Sequence, residues 1–195
     1  MGKVSAIQLT SGPNVKGNLY DVKTYIEQIA DSSTKLVVLP ENFALMPEND
    51  EDYIKHAETL GDGPIQDFIS ELAKTHGLWI VAGTIPIKSS DKNRVMASTI
   101  TYNDQGHTES VYNKIHLFDV TLPKSNESYN ESKYFMPGEE INVIDTPVGR
   151  AGIACCYDLR FPELFRKLRR LRRTGKTRRT GKTGKTRRTG KTRRT

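Results

Sequence analysis

Cysteine is scarce in this chain: its 195 residues contain only Cys155 and Cys156, and these two are adjacent. Neighbouring cysteines do not bridge each other easily and no third one exists, so we expect no disulfide framework and a reducing, cytoplasmic compartment. No apolar run approaches the roughly 18 residues that span a bilayer. The N-terminus also lacks the basic-then-apolar run of a signal peptide. The sequence therefore predicts a soluble, cytoplasmic protein with no membrane contact.

Acidic residues are missing from 166–195, which hold 16 of the 30 Lys and Arg residues. All 23 acidic residues lie in 1–165, where only 14 basic residues oppose them and the net charge is −9. Residues 172–195 repeat Arg-Arg-Thr-Gly-Lys-Thr and offer nothing apolar to bury. We therefore predict one domain over 1–168 and a disordered basic tail over 169–195. Such a tail would bind nucleic acid only non-specifically, if at all.

The periodicity of apolar residues predicts an alternation of strands and helices, which favours an α/β layered fold. An acidic loop with a short helix is expected over 47–63, and a polar surface loop over 121–138. Predicted strands cover 3–9, 36–39, 78–85, 95–102, 108–113, 141–144 and 150–155. Predicted helices run from Asn18, as the cap, to Asp31, from Pro64 to Gly77, and from Phe161 to about Leu171.

Two types of side chain with catalytic potential lie at predicted strand ends. Glu41 follows Pro40 directly after strand 36–39, and open α/β sheets place their chemistry at the carboxyl ends of strands. The cysteine pair closes strand 150–155 and precedes a helix, which places a thiol near the positive end of that helix. Such a thiol is a candidate nucleophile, although a free cysteine at a strand end is more often a small buried apolar side chain.

Four motifs in the same order resemble the nitrilase, or carbon–nitrogen hydrolase, superfamily. The residues of these motifs are most similar to those of omega-amidases and deaminated-glutathione amidases. The motifs are Leu39-Pro-Glu-Asn-Phe43, Asn113-Lys-Ile-His-Leu-Phe118, Asn130-Glu-Ser132 with Pro137-Gly138, and Gly152-Ile-Ala-Cys-Cys-Tyr-Asp-Leu-Arg-Phe-Pro-Glu-Leu164.

The resemblance implies a four-layer α-β-β-α sandwich of the nitrilase type that forms homo-oligomers and hydrolyses small-molecule amides. It implies no metal and no organic cofactor. Members of the family continue past the cysteine motif with further strands and helices. We therefore expect this chain to contain the N-terminal part of the family fold, incomplete at its C-terminus.

The resemblance also assigns the site residues by their motif positions. Cys156, which directly precedes Tyr-Asp, is the expected nucleophile, and Glu41 is the expected general base. Lys114 is the cationic stabiliser, and Glu131 is a supporting second glutamate. The backbone N–H of Tyr157 would help Lys114 to bind the oxyanion. Attack on a terminal carboxamide of a small linear acid would then give a Cys156 thioester and release ammonia.

Nearby residues are expected to be structural. Cys155 should point to the opposite face of its strand and pack in the core, and His116 should be a hydrogen-bonded structural histidine. The remaining charged residues of the cysteine motif should form an ion-pair network that stabilises the turn: Asp158, Arg160 and Glu163.

Two other functions stay open at this point. The chain would belong to another branch of the superfamily, such as a nitrilase or an N-carbamoyl-amine hydrolase, if its substrate is not a carboxamide. Alternatively, it would be a truncated, inactive remnant whose tail, 169–195, binds anionic surfaces or nucleic acid without specificity.

Overall fold

The structure is a computed structural model that describes residues 2–30, 32–123 and 127–174, with the backbone alone for 173–174. Its helices are α1 (Val15–Ala30), α2 (Asp52–Lys55), α3 (Pro64–His76) and α4 (Pro162–Thr174). Its strands are β1 (Lys3–Ala6), β2 (Thr34–Val38), β3 (Trp79–Lys88), β4 (Val95–Tyr102), β5 (Thr108–Asn113), β6 (Asp119–Leu122), β7 (Glu127–Asn130), β8 (Phe135–Met136), β9 (Asn142–Thr146) and β10 (Gly149–Ile153). Short 3-10 turns cover Glu131–Lys133 and Cys156–Arg160.

A mixed six-stranded sheet forms the centre, in the order β1-β2-β3-β4-β5, with β8 paired to β4. The pairs β1–β2 and β2–β3 are parallel, whereas β3–β4 and β4–β5 are antiparallel. The predicted hairpin over 95–113 is thus confirmed as β4 and β5. The parallel strand β2 ends just before Glu41, so this residue lies at the carboxyl edge of the sheet.

Helices α1 and α3 cover one face of this sheet. Their apolar stripes meet the strand residues in one buried cluster, which includes Val22, Ile26, Ile69, Ile80 and Ile100. The start at Pro64 is confirmed, and Gly77 caps α3 in the left-handed conformation with φ of 59°. Glycine suits that position because, without a Cβ, it adopts a positive φ with no steric strain in its own backbone.

The opposite face carries the antiparallel pair β9–β10, and α4 covers the outside of that pair. Leu36 and Tyr112 of the first sheet pack against Ile144 and Ile153 of the second. Val143 in turn packs against Leu164 and Leu168 of α4, among other contacts. The layers therefore run helix, sheet, sheet, helix, as predicted. Among the described strands, β10 pairs only with β9.

Several predicted boundaries were wrong. Strand β1 ends at Ala6 rather than Leu9, and β10 ends at Ile153 rather than Cys155. The segment 121–138, predicted as a loop, contains β7, β8 and part of β6. Polar residues concealed β6 and β7, because these two strands form an exposed hairpin in which no apolar alternation is needed. Strand β8 contains only two residues, Phe135 and Met136, too few to show a period.

The predicted cap of α1 was also wrong. The helix begins at Val15, and the Asn14 side chain accepts a hydrogen bond from the Gly17 N–H at 3.1 Å. Asn18 is instead buried in the first turns, where its amide donates to the carbonyls of Gly12 and Ala44. Asn18 therefore makes a contact with a residue distant in the sequence, Ala44, and such a contact cannot be predicted from the local sequence.

The predicted domain boundary at residue 168 lies inside α4, which continues to Thr174. The rest of the predicted tail, 175–195, lies outside the described residues, so its disorder stays a prediction. None of the described helices is long and apolar enough to cross a membrane.

Candidate active site

Glu41 is presented by a tight turn that packs against β3. The Asn42 N–H donates to the Thr84 hydroxyl oxygen at 2.9 Å, and Asn42 has a left-handed φ of 54°. At Gly83 a side chain would collide with the turn, because a Cβ at this position would lie 1.7 Å from the Pro40 carbonyl oxygen. Gly83 and Thr84 therefore position Glu41, a role that sequence reasoning missed.

Lys114 is almost completely buried, with 2% of its side chain exposed at the end of β5. Its backbone N–H donates to the Ala97 carbonyl at 2.9 Å, and its carbonyl accepts from the Gly138 N–H at 2.8 Å. These bonds hold the start of the side chain on both sides. The ammonium group is thereby directed to one point at the sheet edge.

The Lys114 ammonium joins the two predicted glutamates. Its Nζ lies 2.8 Å from Glu41 Oε1, and 2.9 and 2.8 Å from the two oxygens of Glu131. Burial by itself would lower the pKa of Lys114, but the two carboxylates outweigh it and raise this pKa above the usual range. The group is therefore a cation at any physiological pH.

Glu131 begins the 3-10 turn that follows β7. In addition to Lys114, its carboxylate accepts a hydrogen bond from the Phe118 N–H at 2.5 Å. This second donor ties Glu131 to the segment that follows Lys114 in the chain. The structure thus brings the Glu131 carboxylate onto the Lys114 ammonium.

The two cysteines differ in exposure. Cys156 is exposed and has a left-handed φ of 45°, whereas Cys155 is extended and buried. The prediction that Cys155 packs in the core is confirmed by its place beside Ile144 and Ile153. Its Sγ also lies 3.4 Å from Glu41 Oε1, which the sequence did not predict. The alternation of side-chain directions along an extended strand, which would place the two thiols on opposite faces, ends at Cys156, because this residue is left-handed.

Both thiols are poor acids in this environment. Burial and then the Glu41 charge raise the pKa of Cys156 to about 11, although Lys114 acts in the opposite direction. The same two causes raise the pKa of Cys155 further. A position at the start of a helical turn therefore does not make the Cys156 thiol acidic here, and its ionisation needs a base.

Asp158 stabilises the turn that carries Cys156. It is fully buried, and its carboxylate accepts hydrogen bonds from the Tyr112 hydroxyl, the Cys155 N–H and both the backbone and ring nitrogens of His116. The structural role predicted for His116 is confirmed, since its ring also stacks on Phe161 with centroids 3.7 Å apart.

The ion-pair network predicted among the charged residues of this motif was wrong in its partners. Asp158 bonds to Tyr112, Cys155 and His116. Glu163 instead pairs with Arg166, 2.9 Å away on the exposed side of α4. The reason is that the turn places Asp158 inside the protein, while α4 points its first acidic residue to solvent.

Tyr157 is the residue directly after Cys156 in the 3-10 turn. Its ring packs edge-on against Phe118 and Phe161, with centroid distances of 4.9 and 5.4 Å. These ring contacts restrain the backbone at this residue. Oxyanion binding by its N–H stays a prediction.

A cavity of about 270 Å³ joins these groups. Its walls include Glu41, Lys114, Glu131 and Cys156, with aromatic side chains such as Tyr53 completing the surface. Four of the five predicted site residues therefore meet in one space. Among the described residues, no group of three or more His, Cys, Asp and Glu side chains is arranged to hold a metal.

Comparison with known proteins gives a consistent result. Residues 3–173 match the family model described as Carbon-nitrogen hydrolase. Deaminated glutathione amidase of Yersinia enterocolitica is 42% identical over 85% of this chain and 58% of its own length. Omega-amidase NIT3 of Saccharomyces cerevisiae is 36% identical over 83% of this chain and 57% of its own length. The chain thus spans somewhat under three fifths of the length of these relatives.

Solved structures agree with the sequence comparison. The Caenorhabditis elegans NitFhit protein superposes with a TM-score of 0.78 at 32% identity, covering 87% of this chain and 42% of that one. Saccharomyces cerevisiae Nit3, described as a member of branch 10 of the nitrilase superfamily, superposes with a TM-score of 0.74 at 32% identity. The match covers 88% of this chain and 61% of the Nit3 chain. The predicted resemblance and the predicted sandwich fold are both confirmed.

Proposed function

This chain belongs to the carbon–nitrogen hydrolase family, and on that premise we propose that it is a thiol amidohydrolase acting on the terminal carboxamide of a small linear acid. One observation carries the proposal. The Lys114 ammonium lies between the carboxylates of Glu41 and Glu131, in the cavity that Cys156 also lines. A thiol, a carboxylate and a buried cation in one small space can supply the nucleophile, the base and the oxyanion stabiliser for attack on an amide.

In the first step, Glu41 takes the proton of the Cys156 thiol as the sulfur attacks the amide carbon. The pKa of about 11 keeps this thiol neutral at pH 7, so a base is needed at the moment of attack. The new carbon–sulfur bond converts the amide carbonyl into a negatively charged oxygen. The intermediate is tetrahedral at carbon.

Lys114 and the N–H of Tyr157 bind this oxygen in the proposed mechanism. Burial opposes the charge of Lys114, but its two carboxylate partners raise its pKa and keep it protonated. A donor aimed at a developing oxyanion contributes about 3–4 kcal/mol to lowering the barrier. Glu131 holds Lys114 in place through both carboxylate oxygens.

Collapse of the intermediate breaks the carbon–nitrogen bond, and protonated Glu41 gives its proton to the leaving nitrogen, so that ammonia departs. A thioester on Cys156 remains. Glu41, again a carboxylate, then takes a proton from the water that attacks the thioester. The acid product leaves as the proton returns to the sulfur, and the enzyme is regenerated.

The cavity supports a small substrate. Its volume of about 270 Å³ lies just below the roughly 300–1,000 Å³ of drug-sized pockets. A linear acid of a few carbon atoms fits this space. The relatives named as omega-amidase and deaminated glutathione amidase are both amidases by name, which supports an amide as the substrate class.

Ammonia release from a panel of terminal carboxamides of short acids tests this proposal, with nitriles and N-carbamoyl amines as the substrates of other branches. Cys156→Ala should abolish release, whereas Leu159→Ala, an exposed change in the same 3-10 turn, should leave it unchanged. Release that survives in Cys156→Ala would refute the assignment. Hydrolysis of only the nitriles or carbamoyl compounds would move the chain to another branch.

The remaining predictions about partners need separate measurements. Homo-oligomerisation is tested by light scattering. Non-specific binding of nucleic acid by the predicted tail, 169–195, should weaken steeply with salt and disappear when these residues are deleted. Salt-independent binding, or binding that survives the deletion, would exclude the tail as its source.

A further inference from the structure

The proposed mechanism assigns no role to Cys155, the buried thiol of the site. Cys155 is 8% exposed, and its Sγ lies 3.4 Å from Glu41 Oε1, within hydrogen-bonding range for sulfur. Burial, followed by the Glu41 charge, raises the pKa of this thiol far above neutral. Cys155 therefore keeps its proton and acts as a hydrogen-bond donor to the base.

This contact gives the two oxygens of Glu41 different surroundings. Oε1 receives both the Lys114 ammonium, at 2.8 Å, and the Cys155 thiol. Within the described part of the chain, neither of these donors lies on Oε2. A carboxylate held by two donors on one oxygen has a restricted rotation, so its other oxygen keeps a constant direction.

The backbone around Cys155 is itself held in place. Its N–H donates to the buried Asp158 carboxylate at 2.9 Å, and its carbonyl accepts from the Asp158 N–H at 3.0 Å. The side chain packs against Ile144 and Ile153. The thiol is therefore presented to Glu41 from a rigid support rather than by chance.

We propose that Cys155 is a positioning residue, whose thiol holds Oε1 of Glu41 so that Oε2 takes the proton of Cys156. This inference rests on the proposed function, because it assigns Glu41 as the base. It separates the roles of the adjacent thiols: Cys156 attacks, and Cys155 orients the group that activates it. The covalent steps are those already given, and no bond to Cys155 forms or breaks.

Three substitutions at Cys155 separate this role from simple packing. Cys155→Ala and Cys155→Val remove the donor, the first with a smaller and the second with a larger side chain than cysteine, while Cys155→Ser keeps a hydroxyl donor. Ile144→Val is the packing control, because it trims the same cluster at a side chain that has no hydrogen-bond donor to offer Glu41. Urea unfolding identifies any variant that is not folded before its kinetics are compared.

The first readout is the rate at which iodoacetamide alkylates Cys156 at pH 7, located by peptide mass spectrometry. This alkylation requires removal of the Cys156 thiol proton but no amide substrate. We expect the Ala and Val variants to react roughly tenfold more slowly, with Ser recovering much of the rate and Ile144→Val unchanged. The second readout is kcat for ammonia release, which should follow the same order with little change in KM.

Wild-type rates in Ala and Val, or equal effects of Ser and Ala, would overturn the positioning role. Altered alkylation without any amide hydrolysis would refute the proposed function instead.

Discussion

Removing the buried cation is the sharpest test of the site's electrostatics. Lys114→Met keeps the length of the side chain and deletes the ammonium, which makes three contacts of 2.9 Å or less. The carboxylates of Glu41 and Glu131 are then left close together with no charge between them. Their side chains are 24% and 17% exposed, so water compensates them only in part.

The loss of stability expected for Lys114→Met follows from these distances. Two unit charges 2.8 Å apart attract by roughly 6 kcal/mol at an effective dielectric constant of about 20, before the cost of removing them from water. Breaking a buried pair by removing one partner destabilises proteins by about 3–5 kcal/mol. Because both glutamates retain some exposure, we expect about 3 kcal/mol for Lys114→Met. That is a large share of the ~5–15 kcal/mol typical of a domain.

Urea unfolding followed by circular dichroism measures this loss. Lys55→Met is the matched control, because Lys55 also contacts a carboxylate, at 2.6 Å from Asp52, but is 69% exposed. Its unfolding midpoint should hardly move. The double variant Lys114→Met with Glu131→Gln should recover part of the lost stability, because it removes one of the two uncompensated charges.

The pH dependence has a definite sign. The pKa of Lys114 is raised in the folded state above its unfolded value near 10.4, so its stabilising effect is complete below that value. It is lost only as the pH rises through the folded pKa. The stability difference between wild type and Lys114→Met should therefore be constant from pH 7 to 9. A loss below about 1 kcal/mol, or a difference that vanishes by pH 9, would refute the reasoning.

Three further predictions concern the surroundings of the nucleophile. Alkylation of Cys156 should increase up to about pH 11, and Glu41→Gln should move this profile to lower pH, because the carboxylate is one cause of the raised pKa. Gly83→Ala should cost at least ~2 kcal/mol in urea unfolding through its clash with the Glu41 turn, whereas Gly12→Ala, with open space at its Cβ, should cost little. Asp158→Asn should destabilise by about 2–4 kcal/mol in the same assay, because an amide NH₂ replaces an acceptor that receives buried donors.

Each of these has an outcome that contradicts it. If the pH profile of Cys156 alkylation in Glu41→Gln is identical to that of the wild type, the Glu41 charge does not raise the pKa of Cys156. Equal stability of the two glycine variants would show that the turn tolerates a side chain at position 83. An Asp158→Asn protein as stable as the wild type would mean that its buried hydrogen bonds are not required to hold the turn.

Local sequence patterns predicted much of the architecture. Apolar spacing located α3 and its glycine cap, and a wholly apolar run stopped by proline located β2 and the position of Glu41 at its end. Such patterns work because burial imposes the period of the element on its own residues. They failed for β6 and β7, which are exposed on the surface and carry no such period.

The cysteine pair shows the same limit at the site. Alternation along a strand predicted opposite directions for the two thiols, and the burial of Cys155 agrees with that. The path of the Glu41 turn decides that the Cys155 thiol nevertheless reaches the base, 3.4 Å from Glu41 Oε1. The position of that turn is not encoded in the spacing of the two cysteines.

The sequence by itself determined which side chains are available for the chemistry, and it placed Glu41, Lys114 and the cysteine pair at strand ends. Only the tertiary structure decided that Lys114 is shared by Glu41, 73 positions earlier, and Glu131, 17 positions later. The physical reason is that charge, burial and pKa belong to positions in space. Sheet pairing and the layers above it bring these distant residues within 3 Å, where their interactions are strong enough to set the protonation of the site.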